Sequence, residues 1–370
     1  MDNKEKISIK LEENVDENVE ENETAAEQST PLDKNVRLMS PTQMVLRRFF
    51  KSKLSVVGLV MLALLFAFCF LGPVFYTSWG EVEVDDSPKA EYTQKVITYE
   101  ENGKTVTIYQ ITEKIEKENS LAPMSPTHPL GTDKTGYDIL ARLMYGGRIS
   151  LIIGFITVFI ITILGIIMGG IAGYFGGFVD NVVMRLCDVL MCIPGFPIML
   201  VFGTLLTAFG DEKDPTLIQS IMGNPQYRIY FLMAFLTLFS WPGMARLVRG
   251  QILYLREQEY MVAAEAMGYS TARKIFKHLI PNVMPQLIVS MTLSLGSMIL
   301  YEAALSFLGM GVQAPYAAWG TMINATNDPN ILINYMNIWI PPGLCIVTAV
   351  LGFNFVGDGL RDALDPKGRR

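Results

Sequence analysis

The sequence predicts an all-α polytopic membrane protein with six transmembrane helices, a cytoplasmic helical hairpin and a small extracellular insert that contains a β-hairpin. Half of the 370 residues are hydrophobic and only 18% are charged, a balance typical of membrane-embedded chains rather than soluble enzymes. Six apolar segments reach the length of about 20 residues that a helix needs to cross a bilayer. Each is expected to be a helix, because a lone strand in lipid would leave its backbone groups unpaired.

The chain begins with an acidic stretch, and residues 1–40 are expected to form a disordered cytoplasmic tail. Too few apolar residues are present there to build a core. The stretch is not expected to be a secretion signal, because no apolar core follows a basic start. Its acidic residues include Glu12, Glu13, Glu17, Glu20, Glu21, Glu23 and Glu27.

The rest of the chain is expected to divide into four parts. Residues 41–75 form the first transmembrane helix with its basic flank, and residues 76–144 form the extracellular insert. Residues 145–366 form a core of five helices, and residues 367–370 a short cytoplasmic tail. The six spans are predicted at Leu54–Phe75, Ile149–Gly173, Leu186–Phe209, Ile229–Val248, Gln286–Gly309 and Ile338–Val356.

Basic residues give the predicted orientation, because loops rich in lysine and arginine stay on the cytoplasmic side. Arg48 and Lys51 precede the first span, and Arg361 follows the last, so both termini are predicted to be cytoplasmic. Arg142 and Arg148 are exceptions, since they stand on the outer side just before the second span. Long outer segments escape the charge rule, so the orientation is kept.

The insert contains one local structural signal, an Asn-Gly dipeptide at 102–103 between the segments QKVITYE and TVTIYQI. This dipeptide favours a two-residue type I′ turn, which would place Tyr99 opposite Val106 and Ile97 opposite Ile108. An isolated hairpin is only marginally stable in water. It is therefore expected either to cap the membrane domain or to serve as a docking surface for an extracellular receptor protein.

The sequence carries no recognisable nucleotide-binding or catalytic motif. The nearest match to a phosphate-binding loop, GTDKTG at 131–136, continues with Tyr137 instead of lysine. HExxH and GxSxG are absent, and the two histidines, His128 and His278, are too few for a histidine-rich metal site. We therefore expect no catalytic residue, no metal site, no enzyme activity and no cofactor bound by this chain.

Glu302 is the one ionisable residue that lies clearly within a predicted span. A carboxyl group at that depth can line or gate a transport pathway. It can equally be a structural group that is protonated or hydrogen-bonded to a neighbouring helix. Ion-driven carriers usually bury acidic residues near the midplane, and one carboxyl group is weak support for that class.

A helical hairpin is predicted at Tyr260–Pro285, between the fourth and fifth spans. Gly268 suits the left-handed turn that ends a helix, and Ser270 can cap the start of the next one. Pro281 is expected to stop the second helix before the chain enters the fifth span. A defined hairpin between two spans indicates that another protein docks on it.

Prolines and glycines fall inside several predicted spans. Pro194 and Pro197 are expected to interrupt the third span, and Pro341 and Pro342 the sixth, because proline removes an amide donor and bends a helix. Glycines along the second span suit close contact with another helix. These features fit a moving pathway, although a static channel could use them equally.

Several stretches together resemble the permease subunits of bacterial ABC importers, specifically the C-type subunit of the oligopeptide/dipeptide/nickel group. The resemblance covers roughly residues 41–366 and implies a transmembrane permease that forms half of a peptide pathway. It further implies a heterodimer with a second homologous permease subunit, two ATPase subunits that bind ATP and an extracellular peptide-binding protein. The implied location is the bacterial plasma membrane, with lipid contact and no nucleic acid. The stretches are His128–Leu151, Ala172–Pro194, Glu302–Gln313 and Phe353–Pro366.

In that family a coupling loop, here 250–285, sits in a cleft of the ATPase subunit. We expect Ile275 and Leu279 to insert into the cleft while neighbouring basic groups meet an acidic rim. Val262 departs from the glutamate that usually opens the motif, and Tyr137 stands where the outer motif commonly has arginine. The residues that match the coupling motif are Ala263, Ala264, Glu265, Gly268, Arg273, Lys274, His278 and Pro281.

Three other functions remain open from the sequence. The same architecture could import nickel or another small solute. A stand-alone channel or gradient-driven carrier would instead transport by itself without ATP. A scaffold or sensor would bind a ligand through the outer hairpin.

Overall fold

A computed structural model of the chain describes residues 40–87, 89–101, 104–116, 118–210 and 225–365. The predicted acidic tail before Ser40, the Asn-Gly turn and the C-terminal tail lie outside the described residues. Two compact units are found, residues 1–47 and residues 48–370, and the transmembrane candidates belong to the second.

Long apolar helices dominate the second unit. Five uninterrupted helices are long and apolar enough to cross a membrane, and a helix pair bent by 67° makes a sixth candidate span if it is counted as one, within the described part of the chain. The predicted helical membrane architecture is thus confirmed. The five candidates are Lys53–Phe75, Ile139–Phe175, Ile229–Arg256, Thr271–Phe307 and Met336–Leu364, and the pair is Gly177–Cys192 with Gly195–Phe202.

Among the described residues, π-helical segments lie at Ala67–Leu71 between α2 and α3 and at Lys274–Leu279 between α9 and α10, and a 3-10 turn at Ala325–Asn327 follows α11. In chain order the elements are α1 (Pro41–Lys51), α2 (Lys53–Phe66), α3 (Gly72–Phe75), β1 (Lys89–Glu101), β2 (Lys104–Glu116), α4 (Ile139–Phe175), α5 (Gly177–Cys192), α6 (Gly195–Gly210), α7 (Pro225–Arg256), α8 (Glu259–Ala266), α9 (Thr271–Arg273), α10 (Ile280–Phe307), α11 (Trp319–Asn324), α12 (Pro329–Asn334) and α13 (Met336–Leu364).

Proline breaks the third span but not the sixth. Ile193 adopts an extended conformation between α5 and α6, next to Pro194, where the sequence predicts an interruption. The prediction for the sixth span is wrong, because α13 runs unbroken through Pro341 and Pro342. These prolines stand in the second turn of α13, so little helix precedes them to be bent away.

Pro281 does not end the second helix of the hairpin, contrary to the prediction. The chain passes from α9 through the π-helical segment into α10 without a break. The Ile280 amide bonds to the carbonyl of Ile275, which is the wider i→i+5 pattern of a π-helix. Pro281 then occupies the first turn of α10, where the absence of an N–H group is tolerated.

The second transmembrane helix starts ten residues earlier than predicted, at Ile139 instead of Ile149. Asp138 caps it by accepting a hydrogen bond from the Ala141 amide at 2.7 Å. Arg148 is accommodated because its guanidinium donates to the carbonyls of Cys69 and Phe70, both at 2.8 Å. These two carbonyls belong to the π-helical segment that follows α2, so α4 and the first span are fastened together at this level.

β1 and β2 pair as an antiparallel two-stranded sheet. Ile97 lies opposite Ile108, and Tyr99 lies opposite Val106. This register is the one that a two-residue connection at 102–103 produces.

A buried cluster fastens the rest of the insert to the start of α4. His128 Nδ1 lies 2.8 Å from Asp138 Oδ2, and His128 Nε2 lies 3.2 Å from Asp85 Oδ2. Burial alone would raise the pKa of Asp85, but hydrogen bonds from Ser87, Asn119 and His128 outweigh it and hold the pKa at about 2.

Glycines allow α4 and α7 to approach closely, as the sequence predicts. A Cβ atom on Gly169 would lie 2.3 Å from the carbonyl oxygen of Ala245. One on Gly165 would lie 2.4 Å from Cγ of Met244. The two helices therefore touch at backbone distance along this line.

Gly169→Ala is expected to lower the free energy of unfolding by about 1–3 kcal/mol, the usual cost of overpacking. Gly170→Ala is the matched control, because its added Cβ would meet only Cδ1 of Ile252 at 3.7 Å, an ordinary contact. We expect the control to be neutral or slightly stabilising. Thermal unfolding of the two variants in detergent measures the difference, and equal midpoints would contradict the close approach.

Candidate coupling surface

The predicted helical hairpin is present, and its turn is closed by a Schellman motif. Gly268 adopts φ +70°, the left-handed conformation that favours glycine. Its amide bonds to the carbonyl of Glu265 at 2.9 Å, and the Tyr269 amide bonds to that of Ala264 at 3.1 Å. Ser270 caps the start of α9 with its side chain, as predicted.

An aromatic stack packs the turn of the hairpin against its second arm. The Arg273 guanidinium lies 4.3 Å from the centroid of the Tyr269 ring. The Tyr269 and His278 rings are nearly parallel, with centroids 5.7 Å apart. Nε2 of His278 is buried and has no hydrogen-bond partner among the residues that the structure describes. Arg273 and His278 therefore act together in fixing the turn.

Lys274 does not belong to an exposed basic surface, which corrects the prediction for this residue. It is only 8% exposed, and its Nζ lies 3.6 Å from Oε1 of Glu265. The same amine lies 5.8 Å from the ring centroid of Tyr174, near the end of α4. A side-chain hydrogen bond joins Lys274 to Tyr174, in addition to the ion pair with Glu265. Lys274 thus fastens the hairpin to α4.

Lys274→Met is expected to loosen the hairpin, because it keeps the chain length but removes the amine that contacts Glu265 and Tyr174. Hydrogen exchange of the backbone amides at 263–279 should become faster, while exchange within α4 stays unchanged. Lys277→Met is the control, since Lys277 is exposed. Equal exchange in both variants would show that the Lys274 contacts do not hold the hairpin.

The side chains that project from the hairpin differ from those expected. Leu279 is fully buried and Ile275 half-buried, so the prediction that they insert into a partner is wrong for Leu279 and unsupported for Ile275. Phe276 is instead 71% exposed, with Val262 at 62% and Met267 at 61%. We call these three residues the hairpin knobs.

The π-helical turn explains why sequence reasoning missed Phe276. Lys274 and Leu279 are the two buried residues of this segment and are five positions apart. An i→i+5 turn places such a pair on one face, whereas an α-helix would separate them widely. The α-helical period therefore assigned the buried face incorrectly. An exposed phenylalanine beside two basic residues, Arg273 and Lys277, was the available signal.

Most of the remaining predicted coupling residues lie on the surface. Ala264 is the exception, because it is 1% exposed and packs inside the hairpin. The exposed members are Ala263, Glu265, Gly268, Arg273 and Pro281. These positions and the hairpin knobs are therefore exposed residues of the hairpin that belong to the candidate coupling surface.

Glu302 lies far from this segment in sequence and is completely buried in α10. Its Oε1 accepts a hydrogen bond from the Ser306 hydroxyl at 2.6 Å, and Ser150 of α4 also bonds the carboxyl group. Its Oε2 has no partner among the described residues. Glu302 therefore takes part in the packing of α10 against α4. Its role in a transport pathway stays a prediction.

The fold and the hairpin define a class of protein, a polytopic membrane component with an exposed hairpin between two spans. Residues 161–370 match the family described as binding-protein-dependent transport system inner membrane component. Residues 40–90 match the N-terminal TM domain of oligopeptide transport permease C. The chain therefore belongs to the family of binding-protein-dependent transport system inner membrane components, and the resemblance seen in the sequence motifs is confirmed.

Relatives align over most of the chain. The dipeptide transport system permease protein DppC of Bacillus subtilis is 36% identical over 332 residues, which is 90% of this chain and 88% of the relative. The oligopeptide transport system permease protein OppC of the same species is 33% identical over 323 residues, 87% of this chain and 88% of the relative. A chain of an inward-facing MetNI methionine ABC transporter aligns with a TM-score of 0.44 and 20% identity, covering 60% of this chain and 96% of that one.

Proposed function

We propose that this chain is the permease subunit of an ATP-driven peptide importer and forms half of its translocation pathway. The exposed knobs on a hairpin with a fixed turn carry the coupling part of this proposal, because exposed apolar groups beside basic ones are suited to insertion into a partner. The dipeptide and oligopeptide permeases among its relatives support the substrate class.

The partners in this proposal are a second homologous permease subunit, two ATPase subunits that bind ATP and an extracellular peptide-binding protein. The chain itself binds no ATP and lies in the bacterial plasma membrane with both termini in the cytoplasm. The coupling loop at 250–285 docks on an ATPase subunit, with Phe276 as its main apolar anchor and Arg273 at the rim of the contact. Closure of the ATPases moves the hairpin and, through α7 and α10 at its two ends, switches the pathway between outward- and inward-facing states.

Affinity purification from the native membrane tests the assembly. We expect the tagged chain, extracted in mild detergent, to recover a second permease and ATPase subunits in near-stoichiometric amounts. The purified complex, reconstituted with its binding protein, should take up labelled peptide in an ATP-dependent manner. Recovery of the chain alone after crosslinking, with transport that needs no ATP, would overturn the proposal in favour of a channel or carrier. ATP-dependent uptake of nickel but not peptide would overturn only the substrate class.

A further inference from the structure

A cavity of about 380 Å³ lies at the start of α4. Its wall is formed by the loop before α4, the first turn of that helix, the segment after α10 and part of α11. The volume falls within the range of roughly 300–1,000 Å³ that is typical of small-molecule sites. Polar side chains that face it include Lys134, Thr135, Arg142, Gln313 and Asn324.

Arg142 is the unusual residue in this wall. It is only 9% exposed, yet its guanidinium makes no hydrogen bond to any residue in the described part of the chain. Its nearest carboxylate oxygen, Oδ2 of Asp133, lies 3.6 Å from Nη1, and its Cζ lies 4.4 Å from the Tyr137 ring centroid. A guanidinium has five N–H donors, and Arg142 stands in the cavity wall with no hydrogen-bond acceptor among the described residues.

Neither of the two carboxylates near Arg142 hydrogen-bonds its guanidinium. Oδ1 of Asp133 accepts hydrogen bonds from the Thr135 amide at 2.8 Å and the Thr135 hydroxyl at 2.7 Å, within its own loop, which leaves only Oδ2 to pair with Arg142. Glu81 accepts a hydrogen bond from the Ala317 backbone, and its Oε1 has no partner among the described residues. Neither acid therefore supplies the paired acceptors that a planar guanidinium fork can bind.

Charge at the cavity favours one further anion. Arg142 and Lys134 are two basic groups in its wall against one acidic group, Asp133. Lys134 is exposed at the rim, so its amine can reach a group that enters the cavity. A carboxylate placed on Arg142 would satisfy buried donors and balance the excess charge.

We propose that this cavity is a carboxylate-recognition site that takes the C-terminal carboxylate of a short peptide, with Arg142 as the binding residue and Lys134 at the entrance. The inference rests on the proposed function and adds a step to it. The permease itself would select peptides with a free C-terminus, in addition to any selection by the binding protein. The cavity volume limits the bound portion to the last one or two residues of the peptide.

Binding to the native complex without its binding protein tests the proposal with no mutation. Dialanine and dialanine amide are titrated into the complex in nanodiscs by calorimetry, with acetate as the minimal probe. We expect the acid to bind at least tenfold more tightly than the amide, since only the acid can accept charge-assisted hydrogen bonds from the guanidinium. Equal binding of acid and amide, or no binding of either, would overturn the site.

Substitutions then locate the site. Arg142→Gln should remove the preference for acid over amide, and Arg142→Lys should lose most of it because lysine lacks the bidentate fork. Arg185→Gln on α5 is the matched control, since this exposed arginine lies beyond the opposite end of α4. A preference that survives in folded Arg142→Gln protein would exclude this cavity. If Arg142→Gln does not fold, Lys134→Gln should weaken binding of the acid and leave the amide unchanged, and an unaltered affinity would contradict the site.

Transport separates this inference from the proposed function. The complete system could take up peptide acid and peptide amide at equal rates in an ATP-dependent manner, and Arg142→Lys could leave both rates unchanged. That result would support the importer and exclude the carboxylate site. No ATP-dependent peptide uptake at all would remove the proposed function. Substitution of Arg142 could instead change only the affinity of the binding protein for the complex. The cavity would then bind an acidic side chain of that protein, and the peptide assignment would be overturned.

Discussion

Gly268→Pro is expected to abolish peptide-stimulated ATP hydrolysis by the assembled transporter while the chain stays in the membrane. Gly268 has φ +70°, which proline cannot adopt because its ring fixes φ near −65°. The substitution also removes the amide that bonds to the carbonyl of Glu265. The Schellman turn would open at a cost of about 3 kcal/mol or more, and the hairpin knobs would lose their common orientation.

Stimulated and basal ATPase rates of the reconstituted complex, with and without peptide-loaded binding protein, measure this effect. Gly268→Asn is the control, because asparagine tolerates the left-handed conformation and keeps the amide. We expect it to retain most of the stimulation. Normal stimulation in the proline variant would mean that the hairpin does not transmit ATPase movement.

Phe276→Asp should detach the ATPase subunits from the permease. Phe276 is 71% exposed in this chain, so a charge there costs the isolated permease little. Burying a phenylalanine in a partner contributes about 1.5–3 kcal/mol, and an aspartate in the same pocket would add an unpaired buried charge. We expect association with the ATPase subunits to weaken by about a hundredfold or more.

Co-purification and the concentration of ATPase subunits needed for half-maximal hydrolysis report the loss. Phe276→Leu retains an apolar side chain and should associate nearly normally. Lys277→Gln, next in the chain, should change the salt dependence of association more than its strength. Unchanged assembly of Phe276→Asp would remove Phe276 from the docking surface.

The sequence was sufficient for features that depend on local chemistry. Apolar length located the helices, Gly268 and Ser270 located the turn and the cap, and Pro194 located the break in the third span. Each of these signals acts within one or two helical turns. The strand register around Ile97 is of the same kind, because it is the register that the local Asn-Gly signal predicts.

Features that depend on tertiary contacts or on an unusual helical period were not predictable. Arg142 and Arg148 suggested a loop, but contacts with Tyr137 and with carbonyls of the first span allow both to lie inside α4. The π-helical turn places Lys274, Phe276 and Leu279 on other faces of the helix than an α-helical period would. Nothing in their residue types specifies an i→i+5 pattern. The prediction that Pro281 ends the second helix of the hairpin was therefore wrong, because it assumed an α-helical pattern in the preceding turn.

The length of α4 has a mechanical consequence. Its 37 residues span about 55 Å at about 1.5 Å per residue, from Ile139 to Phe175. One end is clamped by the contact of His128 with Asp138, and the other by the hydrogen bond from Arg256 to the Tyr174 carbonyl. A stiff rod of this length acts as a lever, so a tilt of about 10° about its middle carries its ends about 5 Å in opposite directions. Distance probes at the two ends would move in antiphase during one transport cycle.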